Sequence, residues 1–356
     1  MKNKYNILFK TGDAEIRALE KSNFDVSNIF PIVELTRGRK SKTDKVGLIS
    51  KRIKKLGEIF SNQSICLDLT TSDQLTNEEI EELYNTDSGY ENWVEFLNSV
   101  NASKTFREIV PTILVDTTDE DIDINLKAQV ESLSKSFKRI AYRNDITDDG
   151  YIEDIGIFAE TVKEKNVEFV FIADCEYVPS GATRNTASLV SARITKVKKL
   201  IPNSTFIVIS TSFPRYVSDI GNDNYDIFPL YELDVYKEVK EIHSDVIYGD
   251  YGSINPIRND TVVMARGWIP RIDVPTLAGI YYYRVRNKIK DYAATYSIVA
   301  SKVVEDDKFP THLSSNWGIK QILLSKKGSA PGASPNFWIS VRMSIFIAMQ
   351  LKRLKL

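Results

Sequence analysis

The stretch Phe169-Val170-Phe171-Ile172-Ala173-Asp174 is an unbroken apolar run that ends on a carboxylate. Such a run is typical of a parallel strand whose faces are both covered. Similar runs recur along the chain, and each is followed by a segment with helical spacing. They are Tyr5–Lys10, Phe30–Glu34, Ser64–Asp68, Val110–Asp116, Arg139–Arg143, Phe206–Ser210 and Val246–Asp250. The alternation of strand and helix predicts an α/β fold with parallel strands.

Eight such units in about 250 residues match the usual size of a (β/α)8 barrel. We therefore predict a TIM-like (β/α)8 barrel over residues 1–254. The rhythm breaks after Gly252, and residues 255–356 are predicted to form a C-terminal α+β extension that packs on the barrel. No low-complexity linker separates the two parts, so the extension is not expected to be a separate enzyme domain.

The composition is that of an ordinary globular protein, with 356 residues, 42% of them hydrophobic and 27% charged. A formal net charge of −1 gives no global attraction to nucleic acid or membrane, so any such binding must use a local patch. The sequence has no signal-peptide pattern and no apolar run of about 20 residues, so we predict a cytoplasmic protein without a membrane partner. Cys66 and Cys175 lie in predicted strands and are expected to be buried, reduced thiols.

Carboxylates end five of the predicted strands. In a parallel barrel the C-terminal strand ends converge on one mouth, where active sites are built. The candidate catalytic residues are therefore Glu34, Asp68, Asp116, Asp174 and Asp250. Hard oxygen ligands of this kind suit Mg²⁺, Mn²⁺ or Ca²⁺ better than zinc, although the sequence does not identify a metal or cofactor. The alternative is that each acid caps a helix or pairs locally with Lys10 or Arg143.

A basic loop, Arg37-Gly38-Arg39-Lys40, directly follows the second predicted strand. Guanidinium groups bind phosphate or carboxylate in a bidentate way, and a glycine lets the backbone approach a ligand. The candidate anion-binding residues are Lys10, Arg37, Arg39 and Arg143. The alternative is a solvated loop that offsets the acidic rim.

Several enzyme classes are disfavoured. The only histidines are His243 and His312, and neither ends a predicted barrel strand, which argues against a Ser–His–Asp triad. The chain has neither a dinucleotide-binding fingerprint nor a phosphate-binding P-loop. Aromatic residues of the tail, such as Tyr281 and Trp338, could stack bases, but such residues more often anchor a core or an interface.

Short motifs along the chain point to a family. They are Lys10–Glu15 with Ala18-Leu19, Pro31–Leu35, Asp250-Tyr251-Gly252, Trp317-Gly318 and Phe337-Trp338. In this combination the chain resembles the beta protein family of phages and mobile elements. Many members carry a histidine pair after the last tryptophan, where this chain has Val341–Ile345, so a role that rests on those histidines does not transfer. The resemblance implies a role in conflict between phages, mobile elements and bacteria.

The leading hypothesis from this resemblance is a component of a bacterial phage-defence or toxin–antitoxin-like system, with a ligand site at the barrel mouth and a protein partner from the same locus. One alternative is a metal-dependent phosphodiesterase or nucleotide hydrolase, whose ligand would be a nucleotide or nucleic acid. Another is a non-catalytic protein-binding module. Fold alone does not choose between them. Acids that converge on one open point would favour hydrolysis, whereas acids already paired with Lys or Arg would favour binding.

Overall fold

Eight parallel strands form the central sheet. The structure, a computed structural model, describes residues 1, 4–22, 24–40, 42, 44–216, 223–257, 267–286, 291–328 and 330–356. In chain order the strands are β1 (Tyr5–Lys10), β2 (Ile29–Leu35), β3 (Ser64–Leu69), β4 (Glu108–Pro111), β5 (Arg139–Asp145), β6 (Glu168–Tyr177), β7 (Thr205–Thr211) and β9 (Ile247–Asp250). Each of the eight predicted runs thus contributes one strand.

The sheet closes on itself. Its strands are hydrogen-bonded in the order β4-β3-β2-β1-β9-β7-β6-β5. The outer members of this order, β4 and β5, meet at a parallel bridge between Thr112 and Ala141. There the backbone N–H of Ile113 donates to the Ala141 carbonyl at 2.8 Å. Closure leaves no long free edge among the barrel strands that the structure describes, and the predicted TIM-like barrel is confirmed.

Side chains alternate between the inside and the outside of the barrel along each strand, as the pleat requires. The inward-facing residues form a buried apolar cluster that fills the barrel. Its members are Leu8, Phe30, Ile32, Cys66, Val110, Ala141, Val170, Ile172, Ile207, Ile209, Ile247 and Tyr251. The residues between them face outward and pack under the helices in the largest core cluster of the protein.

Helices cover the outside of the barrel. They are α1 (Asp13–Lys21), α2 (Ile49–Ile59), α3 (Glu78–Leu83), α4 (Asp87–Ala102), α5 (Ile122–Ser136), α6 (Tyr151–Glu164), α7 (Thr183–Leu200) and α8 (Tyr231–Ile242). In α1, Asp13 and Glu15 lie in the first turn, where the helix dipole favours acids, while Ile16 and Leu19 are buried in the core. Among the helices that the structure describes, none has both the length and the apolar character needed to cross a membrane.

The C-terminal part is an α+β appendage, as predicted. Its elements are β10 (Arg271–Pro275), β11 (Ile280–Arg284), α9 (Tyr292–Glu305), α10 (Trp317–Lys326) and α11 (Pro335–Arg353). The strands form an antiparallel sheet in the order β10-β11-β8. The third strand, β8 (Tyr225–Phe228), comes from the segment between β7 and α8, so the appendage sheet includes a strand from the first 254 residues. A domain boundary at residue 254 stays a prediction.

The long helix α11 joins the two cores. It begins at Pro335 after Ser334, whose hydroxyl accepts a hydrogen bond from the Phe337 N–H. Its residues Met343, Ile347 and Leu351 belong to the core between barrel and helices. Trp338, Val341 and Ile345 instead pack in the appendage core, where Tyr281 also lies. Tyr281 and Trp338 therefore anchor a core and present no open stacking surface for bases.

Candidate functional site at the barrel mouth

A layer of polar side chains lies above the apolar interior, at the C-terminal mouth of the barrel. Each of its members follows the interior residue of its strand by two positions, because alternate residues share a face. The layer contains Lys10, Glu34, Asp68, Thr112, Arg143, Asp174 and Tyr251. The strand ends therefore deliver a compact cluster of charges and hydroxyls to one place.

The Arg143 guanidinium is the centre of this cluster. Its Nη1 lies 2.9 Å from Glu34 Oε2 and 2.9 Å from Asp68 Oδ2, and its Nε lies 2.8 Å from Asp174 Oδ2. Only 17% of the Arg143 side chain is exposed, and the three acids are buried more deeply. One cation thus pairs with acids from β2, β3 and β6.

Neighbouring groups complete the hydrogen bonds of the acids. Lys10 Nζ lies 2.7 Å from Glu34 Oε2. The Thr112 hydroxyl donates to Asp68 Oδ1 at 2.6 Å. The Tyr251 hydroxyl lies 2.7 and 2.6 Å from the two oxygens of Asp174 and donates to that carboxylate. Charge-assisted hydrogen bonds of this kind fix the orientation of each carboxylate.

The electrostatics follow from this arrangement. Burial alone would raise the pKa of Glu34, but the charges of Lys10 and Arg143 lower that pKa to about 2. Asp68 shares Arg143, and no second cation in the described part of the chain pairs with it, so burial raises the pKa of Asp68 despite the ion pair. Burial also raises the pKa of the Tyr251 phenol well above its usual value, and the Asp174 charge acts in the same direction. Tyr251 is therefore a neutral hydrogen-bond donor at physiological pH.

Glu176 is a further acid near the mouth that the sequence did not identify. The pairing of β6 with β7 shifts register between Asp174 and Tyr177, which is a β-bulge, and Glu176 has a φ of 49°. The residue is half-buried, and burial together with the charges of Asp174 and Asp145 raises its pKa to about 7. Within the described residues, no hydrogen bond or ion pair engages its carboxylate.

The expectation that Asp250 reaches the mouth is corrected by the structure. Asp250 is one residue out of phase with Gly249 and Tyr251, so its side chain faces outward between the barrel and α11. It accepts hydrogen bonds from Tyr5, Tyr248 and Gln350, and from the Gly252 N–H at 2.8 Å. Burial raises the pKa of Asp250, although these donors oppose the effect. Its place in the mouth is taken by Tyr251.

Asp116 also lies away from the cluster. Strand β4 ends at Pro111, and its inward-facing successor is Thr112. The Asp116 carboxylate instead accepts hydrogen bonds from the Thr118 N–H at 2.9 Å and the Thr118 hydroxyl at 2.6 Å. It stabilises its own turn, which is the local alternative to a catalytic role.

In the basic loop after β2, Arg37 makes structural hydrogen bonds, whereas Arg39 and Lys40 are exposed. The Arg37 guanidinium donates to the Gln74 carbonyl at 3.2 and 3.0 Å, and so joins two loops at the rim. Arg39 and Lys40 are exposed. Of the four predicted anion-binding residues, Lys10 and Arg143 lie in the cluster, Arg37 is engaged by backbone, and Arg39 faces solvent.

This geometry bears on metal chemistry. Among the residues that the structure describes, no group of three or more His, Cys, Asp or Glu side chains is arranged to hold a metal ion. The oxygens of Glu34, Asp68 and Asp174 that point inward are bonded to Arg143 at 2.8–2.9 Å. A divalent ion would have to displace that guanidinium from all three acids, at the cost of three charge-assisted hydrogen bonds.

A barrel whose mouth is lined by strand-end charges defines a broad class with many functions. A sequence profile described as "Beta protein" matches residues 5–352, which is nearly the whole chain. The protein belongs to the beta protein family, as its motifs indicated.

One solved structure is weakly similar to this chain. The crystal structure of a chitinase from Chromobacterium violaceum ATCC 12472 is similar over 96% of this chain and 99% of that chain, with 10% sequence identity and a TM-score of 0.32. A similarity of that strength carries no argument about this protein. No curated protein matches the sequence.

Proposed function

We propose that the protein is a component of a bacterial phage-defence or toxin–antitoxin-like system, and that it acts by recognising a ligand at the mouth of the barrel. Membership of the beta protein family supports the assignment to such a system. The ion cluster supports recognition rather than hydrolysis. We expect the protein to act in the cytoplasm together with a protein encoded in the same locus.

The observation behind this proposal is that the strand-end acids are already paired. Glu34, Asp68 and Asp174 converge on Arg143, not on an open point. A catalytic metal centre needs carboxylates with free oxygens and an open coordination position. Carboxylates held by a central arginine instead form a rigid polar floor, which is the arrangement that specific recognition requires.

The ligand would meet two kinds of groups at the mouth. Arg39 and Lys40 on the rim are exposed cations that would attract an anionic ligand such as a nucleotide or nucleic acid. Lys10 has 12% of its side chain exposed and has donors to spare beyond its bond to Glu34. The carboxylates inside the mouth would repel an anion, whereas Arg39 and Lys40 on the rim would attract it. The electrostatic part of the affinity would therefore come from the rim residues.

The direct test is a phage challenge of bacteria that carry the intact locus. We would compare the wild type with Arg39→Ala and with Arg107→Ala. Arg107 contacts Ser64 at the opposite end of the barrel and is the matched control. Loss of protection with Arg39→Ala alone is expected. Equal plaque counts for the wild type, Arg39→Ala and a locus that lacks this protein would refute the proposal.

The hydrolase alternative has its own test. If the acids bound Mg²⁺ or Mn²⁺ in the folded state, either ion would raise the melting temperature by mass action, and Asp68→Asn would abolish that rise. We expect no metal-dependent rise in the wild type. A clear rise that disappears in Asp68→Asn would favour metal-assisted hydrolysis over recognition.

A further inference from the structure

The segment from Asp250 to Ser253, which ends β9 and forms the turn after it, contacts two regions of the molecule at once. Within it, Asp250 points outward toward α11, and Tyr251 points inward into the mouth. Gly252 and Ser253 follow with φ values of 61° and 67°, both in the left-handed region. Because adjacent residues of this turn contact different partners, a movement on one side has to be accommodated on the other.

The inward contact is made by Tyr251. Its ring belongs to the apolar cluster inside the barrel, and its hydroxyl donates to Asp174. Arg143 Nη2 lies 3.4 Å from the same hydroxyl. Tyr251 therefore helps to hold Asp174 in the position in which it pairs with Arg143.

The outward contact runs to the far end of α11. Gln350 Nε2 donates to Asp250 Oδ2 at 2.7 Å and to the Tyr248 hydroxyl at 2.7 Å. The other end of the Gln350 amide accepts a hydrogen bond from Arg353. Arg353 also donates to the Leu277 carbonyl at 2.8 Å, in the loop between β10 and β11. A continuous set of hydrogen bonds thus joins the appendage hairpin to the turn.

A second contact joins α11 to the same turn. Arg342 Nε donates to the Ser253 hydroxyl at 3.3 Å, and its Nη1 lies 2.7 Å from Asp273 Oδ2 on β10. The turn has little room to yield, since a Cβ on Gly252 would lie 2.9 Å from Ile7 Cδ1 and 3.2 Å from Met343 Cε. Residues 250–253 are therefore held between β1 and α11 through contacts with the middle and the C-terminal end of the helix.

We infer that the appendage controls the mouth through this turn: a displacement of α11 moves Asp250 and Ser253, withdraws Tyr251 from Asp174, and loosens the ion cluster around Arg143. The inference goes beyond the proposed function, because it concerns the protein without ligand. A partner that binds the appendage would in this way alter the mouth without touching it. Evidence for such coupling has to come from measuring how a change in the appendage affects the mouth.

Glu176 offers a reporter of the mouth, because it lies near Asp174 and titrates near neutral pH. The groups that act on it are Asp174, Asp145, Arg143 and Lys10. In protein labelled with ¹³C at the glutamate carboxyl carbon, Glu176→Gln assigns its signal. We would compare the titration midpoint of Glu176 in the wild type, in Gln350→Met and in Arg353→Met.

If Tyr251 withdraws, water reaches Asp174 and the burial of Glu176 decreases, so its midpoint should move to lower pH by ~0.3 of a pH unit or more. The control is Ser344→Ala, which removes a partly buried hydrogen bond between α11 and Ser22, on a different face of the helix. Its midpoint should equal that of the wild type.

An unchanged Glu176 midpoint in folded Gln350→Met or Arg353→Met would overturn the inference, as would an equal change in Ser344→Ala. If Gln350→Met does not fold, the half-buried Arg353 provides the deciding variant, because its loss severs the link from hairpin to Gln350 without emptying the core. The measurement needs no ligand and no phage, so it stands or falls separately from the proposed function.

Discussion

The two ends of the barrel carry similar ion pairs in different surroundings. Arg139 and Arg143 both lie on β5 and face inward. Arg139 meets Glu108 and Glu168 at the N-terminal end, at 3.4 and 2.9 Å, and these side chains are 23–43% exposed. Arg143 meets three acids whose side chains are 3–9% exposed.

From this contrast we expect burial, and not the pairing itself, to decide how much the stability of the fold depends on a charge. At the N-terminal end water replaces a lost partner at little cost. At the mouth a lost partner leaves a charge in a medium that cannot solvate it. The paired acids of the mouth are consequently a source of rigidity, and each can be tested against a counterpart at the opposite end.

The largest difference is expected for the two arginines. Arg143→Met removes the cation that pairs with Asp68 and Asp174 and leaves Glu34 with Lys10 alone, so it should lower the free energy of unfolding by about 3–5 kcal/mol. Arg139→Met, with exposed partners, should lower it by about 0–1 kcal/mol. Urea denaturation of both variants at pH 7 is the measurement. Equal losses would contradict the comparison.

The next effect depends on pH. The pKa of Glu34 is about 2 in the folded protein against an ordinary 4.5, so its stabilisation is present above pH 4.5 and is lost as pH falls through about 2. Glu34→Gln should therefore cost about 3 kcal/mol at pH 7 and much less at pH 2.5. Urea unfolding at both pH values, with Glu108→Gln as the exposed counterpart, tests this. A cost for Glu34→Gln that does not change with pH would exclude the ion pairs as its cause.

A smaller effect is expected at the two ends of β6. Asp174→Asn weakens the bonds to Arg143 and Tyr251 and should cost about 1–3 kcal/mol, whereas Glu168→Gln should cost less than about 1 kcal/mol. If the mouth also recognises the ligand, Asp174→Asn should abolish phage protection even at a temperature where it is fully folded. A folded Asp174→Asn protein with full protection would limit the role of the mouth to stability.

The smallest change in stability is expected on the surface. Arg39→Ala and Arg107→Ala should each alter the free energy of unfolding by no more than about 0.5 kcal/mol. A difference between them should arise only in phage protection, since Arg39 lies at the mouth rim. Thermal melting alongside the phage challenge separates the two effects, and a marked destabilisation by Arg39→Ala would mean that its loop is structural.

The strands of the barrel were predictable because their hydrophobic runs are long and continuous, as at Phe169–Asp174. That continuity also limits prediction at the mouth. A strand that is apolar on both faces does not reveal which residues point inward. The phase was right for Asp174 and wrong for Asp250, where the polar residue at the strand end belongs to the outward face.

The sequence contains less information about the other residues of the site. Tyr251 and Thr112 could have been found by counting two positions from an inward residue, had the phase been known. The position of Glu176 depends on a β-bulge, which the apolar pattern of β6 does not predict. The pairing of β8 with β11 is a long-range contact, and no local feature of Tyr225–Phe228 predicts it.

That pairing has a consequence for how the chain is made. Residues 225–228 leave the ribosome well before residues 280–284, which are their partners in the antiparallel sheet. The contact between Asp250 and Gln350 forms later still, because Gln350 is synthesised 100 residues after Asp250. The native contacts of the last barrel strand thus depend on residues that are synthesised much later than the strand itself, and long-range pairings of this kind form slowly. We expect a nascent chain that stops short of α11 to stay accessible to chaperones and proteases.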